Sequence, residues 1–167
     1  MTGATTDIAG IPVPSTDPIF LGLVGIHIAF GLVAVASGAA AMLSRKRRGR
    51  HSSFGSVYFW SLLGVSATMS VLSFLRWTED YPLFILGLLA FIAAFAGRTA
   101  IRLRAPRWHL VGMATSYILM LTAFYVDNGK SLPLWRELPQ IAFWFIPGLI
   151  GFPLMAYYLV RLPRFEL

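Results

Sequence analysis

His27, His51 and His109 have the widest chemical range of any side chains in this 167-residue chain. Imidazole changes charge near neutral pH, donates or accepts a hydrogen bond, and ligates metals. The chain has no cysteine, which excludes disulfides, thiolate metal sites and iron–sulfur clusters. No nucleophile elbow, phosphate loop, HExxH or pair of acids at catalytic spacing occurs. The pattern therefore predicts no enzyme and no metal site. What the histidines can do depends on their depth and on which of them share a level. Both are set by the elements that carry them.

Those elements are apolar. Hydrophobic residues make up 57% of the chain and charged ones 13%, too few to cover a soluble domain. A membrane helix needs about 20 largely apolar residues, and five such runs are visible at 18–43, 53–77, 83–103, 108–126 and 140–160. The expected fold is all-α, one five-helix transmembrane domain over 18–167, with 1–17 a disordered outer tail. That tail has no Lys or Arg and so does not read as a secretory signal.

Charge fixes the expected orientation. Eleven of the 14 Lys and Arg residues fall in three patches: Arg45, Lys46, Arg47, Arg48 and Arg50; Arg98, Arg102, Arg104 and Arg107; Arg161 and Arg164. The alternate ends carry Asp7, Asp17, Glu79, Asp80, Asp127 and Glu137, with Arg76, Lys130 and Arg136 as cations. Cytoplasmic loops carry the excess of cations, so the amino terminus is expected outside and the carboxyl terminus inside. The net charge of +7 is then topological, and nucleic-acid binding is excluded. The first basic loop, Arg45 to Arg50, is expected to contact lipid headgroups.

With ends assigned, each histidine acquires a depth. At 1.5 Å per residue, His27 lies ~13 Å from the outer end of its run and ~24 Å from the inner end. His51 and His109 both sit at inner helix starts, so His27 shares no small ligand with either. Two readings stand for His27: a neutral imidazole tying helices together, for instance to Ser70, or an anchor for haem or a quinone-like molecule. His51 and His109 likewise suit either an interfacial structural or headgroup role or bis-histidine haem b ligation.

Helical spacing predicts the inward faces. His27, Gly31, Ala34, Gly38 and Ala41 form one stripe, and Gly87, Ala90, Ala94 and Arg98 another; small residues let membrane helices approach closely. Ser66, Ser70 and Ser73 align on the second run, and His109, Ser116, Met120, Ala123 and Asp127 on the fourth. These polar faces are expected in the bundle interior. Pro147 and Pro153 predict a kink in the fifth run.

Three stretches carry a family resemblance: HIAFGLVAVASGAAAML from His27, GRHSSFGSVYFW around His51 and HLVGMATSYILMLTAFYVDN from His109. With the closing PGLIGFPLMAYYL they resemble the small bacterial membrane proteins of domain-of-unknown-function family 2306. The resemblance implies that the three histidines occupy recurrent positions and that the bundle sits in the bacterial cytoplasmic (inner) membrane. It implies no activity. The expected role is a non-enzymatic accessory subunit that packs against other membrane chains, or against a second copy of itself, within the lipid. The alternatives are a histidine-anchored haem or quinone electron-transfer bundle and a small-molecule transporter.

Overall fold

The computed structural model describes residues 17–45 and 49–162, together with the backbone of Thr6–Ile8 and Ile11–Val13. Five helices dominate: Pro18–Leu43 (α1), Arg50–Leu75 (α2), Trp77–Arg102 (α3), Pro106–Asn128 (α4) and Ala142–Arg161 (α5). All five are long and apolar enough to cross a membrane. In the amino-terminal tail, read from the sequence as unstructured, Thr6–Ile8 (β1) and Ile11–Val13 (β2) pair antiparallel, with Ile8 opposite Ile11. The rest of that tail lies outside the described residues, as do Lys46, Arg47, Arg48 and Arg164.

The helix boundaries have local causes. Asp17 caps α1 by accepting from the Ile19 N–H at 2.9 Å, and Pro18 occupies the first position, where its missing N–H costs nothing. At the other end the Ser44 hydroxyl donates to the Ala40 carbonyl at 2.6 Å. Gly49 then takes φ 128°, a conformation that a side chain resists, and α2 begins.

The segment 78–82, expected as a turn, is helical. The chain reverses at Arg76 alone: its N–H donates to Ser73, and its carbonyl accepts from the N–H groups of Glu79 and Asp80. One residue thus ends α2 and starts α3. Glu79 and Asp80 fall in the first turn, where negative charge suits the helix dipole, and Arg76 pairs with Glu79. Pro82 lies inside α3, in its second turn.

Basic residues and Pro106 mark the end of α3 in the sequence, but no glycine does. Ala105 N–H donates to Ala100 and Arg104 N–H to Ile101, the paired bonds of a Schellman ending. Glycine is the usual left-handed residue there; here Arg104 takes it, at φ 60°. Pro106 then opens α4.

The chain divides into two compact units, Met1–Ile85 with Ser131–Arg136, and Leu86–Lys130 with Glu137–Leu167. In the first, α1 packs along α2. Ala34, Ser37, Gly38 and Ala41 are buried on α1, and Tyr58, Phe59, Ser61 and Leu62 on α2. The ring of Phe30 lies over Gly64, in space that a Cβ there would need. Tyr58, whose ring would suit the inner interface, is buried instead.

In the second unit, α4 packs along α5. Phe143 lies against Gly129 and Ile118 against Gly151, two further glycines whose missing side chains admit a neighbour. Ala90 and Ala94 are fully buried on α3. Pro147 and Pro153 both lie inside α5, and Pro147 is buried.

Candidate functional site

Each histidine is tied across a helix pair through Nδ1. In the first turn of α2, His51 Nδ1 lies 2.8 Å from the carbonyl oxygen of Ala41, in the last turn of α1. In the first turn of α4, His109 Nδ1 lies 2.8 Å from the carbonyl oxygen of Gly97, near the end of α3. A carbonyl only accepts, so both imidazoles carry their proton on Nδ1. The two hairpins therefore use the same device: an imidazole entering one helix reaches back across a short loop to the helix just left.

The bond at Ala41 reinforces a carbonyl whose other donor, the Ser44 N–H, is 3.3 Å away and shared with Ala40. The last four carbonyls of a helix lack partners within it, and in a membrane span an unmet carbonyl is costly. At Gly97 the reason for proximity is different. A Cβ placed on Gly112 would stand 2.6 Å from the Gly97 Cα, so α3 and α4 meet backbone to backbone. His109, one turn before Gly112, rides on that contact.

His27 makes the corresponding tie in the middle of the span. Its Nδ1 lies 2.8 Å from the Thr68 hydroxyl oxygen. That hydroxyl spends its own proton on the backbone, 2.8 Å from the Gly64 carbonyl and 3.0 Å from that of Val65. Thr68 thus accepts and His27 donates, again through Nδ1. Depth alone suggested Ser70 and missed Thr68, two residues before it. The signal was present: the 44–49 connection is short, so α1 and α2 run antiparallel in nearly fixed register.

The remaining candidates scatter. Ser70 donates to Ser66 at 2.8 Å within α2, and buried Ser73 donates to the Asp80 carbonyl at 3.3 Å. Ser116 is buried and donates to Met113 at 2.9 Å. Asp127 departs from the interior face expected for it: it is exposed at the end of α4 and accepts from the Asn128 amide. A helix that runs out of the hydrocarbon near its last turn can expose there what its middle must bury. Of the basic loop, Arg45 and Arg50 are exposed; Lys46, Arg47 and Arg48 fall outside the described residues. Among the described residues no three His, Asp or Glu side chains gather in a metal-holding group.

A family model described as a predicted membrane protein (DUF2306) matches residues 24–146. The chain belongs to that family. The matched stretch takes in all three histidines with Thr68, Ala41, Gly97 and Gly112, so every tie just described lies within it. No curated protein and no solved structure matches the chain.

Proposed function

We propose that this integral membrane protein is a non-enzymatic subunit of a larger assembly in the bacterial cytoplasmic membrane, held to its neighbours through the far face of α1. The reading rests on its glycines. Gly64, Gly97, Gly112, Gly129 and Gly151 each take a neighbouring group into the space that a side chain would fill. Around Gly22 and Gly25 on α1, no described atom lies within 4 Å of an added Cβ.

These two align at helical spacing with Ala29 and Ala36, and all four are exposed, on the side of α1 away from its buried Ala34, Ser37 and Ala41. Gly25 and Ala29 have the small-xxx-small spacing by which membrane helices dock. Glycine in a helix costs about 1 kcal/mol relative to alanine unless a close contact offsets it. A helix of another chain supplies such a contact. His27 and His51 fit the same reading, because their Nδ1 bonds stiffen the α1–α2 pair that presents this face.

The test is the mass of the protein purified from its own membranes in mild detergent. The native chain is expected to migrate within a larger complex, and Gly25→Leu with Ala29→Leu to release it with its helicity intact. A native protein that runs as a single chain would sink the proposal.

One observation favours a second reading, a haem- or quinone-binding bundle. A histidine that donates Nδ1–H to an oxygen presents Nε2 as its basic nitrogen, the arrangement by which metal-ligating histidines are oriented. An absorption spectrum decides between them: a Soret band that disappears in His27→Ala or His109→Ala supports the cofactor, and a colourless complex rejects it.

A further inference from the structure

The turn between α3 and α4 carries a groove of about 460 Å³, lined by Phe95, Thr99, Ala100, Leu103 and Trp108 among others. Thr99 is the only polar side chain in its lining. The lining runs from Phe95 in α3 to Leu103 just past its end, roughly 12 Å at 1.5 Å per residue. Phe95, Leu103 and Trp108 are 58%, 73% and 70% exposed, so the groove is open along the helix flank. At its end stand Arg102 and Arg104, both exposed, while Arg107 reaches the Leu159 carbonyl at 3.4 Å. The described acids of this unit, Asp127 in the last turn of α4 and Glu137 beyond it, are at the opposite end of that helix. An apolar trough that ends in unopposed positive charge matches one kind of occupant in a membrane: a lipid tail with an anionic head.

The backbone points the same way. Arg104 occupies the left-handed position that ends α3, where glycine fits without strain and an L side chain costs about 1 kcal/mol or more. The turn bears that cost with an arginine set between Leu103 and Ala105, both of which line the groove. Trp108, at the start of α4, has the amphipathic ring that sits at headgroup depth.

We propose that this groove is a binding site for one anionic phospholipid. An acyl chain lies along Phe95, Ala100 and Leu103 against Trp108, and the phosphate is held by Arg102 and Arg104. Phosphate contact from guanidinium groups is bidentate and charge-assisted, which sets this site apart from the general attraction of a basic loop for the membrane surface.

The experiment is native mass spectrometry of the full chain in mild detergent, with phosphatidylglycerol and phosphatidylcholine of identical acyl chains added in turn. The native protein is expected to retain phosphatidylglycerol preferentially. Arg104→Gly relieves the left-handed strain, so it keeps the fold, and it should lower that retention about fivefold, the effect of one cation near the surface. Arg102→Gln should act similarly. Ala100→Trp, which fills the groove, should lower retention of both lipids.

Equal retention of the two lipids by the native protein overturns the proposal. So does an Arg104→Gly protein that keeps its lipid, or an equal loss in the Arg45→Gln, Arg50→Gln control on the other hairpin, since that reports bulk charge alone. If Ala100→Trp instead changes the number of chains in the complex, the groove holds protein and the proposal also fails.

Discussion

At the scale of single residues, the glycines separate into two kinds that the sequence does not distinguish. Gly112 touches backbone: an added Cβ would lie 2.6 Å from Gly97 Cα and 2.7 Å from the Ala93 carbonyl oxygen. Backbone cannot yield as a flexible side chain can, so Gly112→Ala forces α3 and α4 apart. We expect it to cost about 1–3 kcal/mol, the range for overpacking a close contact. Gly31 has no described atom within 4 Å of an added Cβ, and Gly31→Ala gains helix propensity. Thermal unfolding in detergent should therefore show a lowered midpoint for the first variant and an unchanged or raised one for the second. Equal midpoints would remove the argument that glycine contact positions His109. Arg104 is the converse case, a residue with a side chain where glycine would serve the backbone better. Composition and spacing gave no hint of either, because both depend on which backbone lies opposite.

At the scale of elements, the helix pairs were legible and their fastening was not. Apolar run length and the basic loops placed α1 at its observed bounds and the other four helices within a few residues, except at the start of α3. That exception is the segment 78–82, where Glu79, Asp80 and Pro82 interrupt the apolar run although the backbone is already helical. The inward stripe of Ala34, Gly38 and Ala41 followed from 3.6-residue periodicity and is buried as expected. The partner of His27 did not follow from depth along each helix taken alone, without the register that the short 44–49 connection imposes. His27 and Thr68 carry a direct prediction about how α1 and α2 are joined. In a double-mutant cycle with His27→Ala and Thr68→Val, the coupling should fall at about 0.6–1.7 kcal/mol, as for other hydrogen bonds between membrane helices. Additive effects of the two substitutions would mean that the imidazole stabilises α1 and α2 independently of Thr68, and the role of His27 as a tie would be lost.

At the scale of the whole molecule, five spans joined by short connections place successive loops on alternate sides of the membrane. With each span crossing once, the connections 44–49 and 103–105 are expected on one side and the turn at Arg76 and the 129–141 connection on the other. The cations divide on the same line, since Arg76, Lys130 and Arg136 are the only ones outside the three basic patches. Translocating the arginine-rich loops against the membrane potential is unfavourable, so the basic side should be cytoplasmic and the 129–141 connection external. The absence of cysteine makes the chain suited to a direct test. Ser131 and Ser52 are both exposed, one on each side of the expected arrangement, and Ser→Cys changes little in size at either. In intact cells a membrane-impermeant maleimide should label Ser131→Cys at once and Ser52→Cys only after the membrane is opened. The reverse order would invert the orientation of the chain while leaving its helices, its histidine ties and the groove at Arg104 in place. It would also put the anionic lipid site in the opposite leaflet, so the labelling order determines on which side of the membrane that lipid must be found.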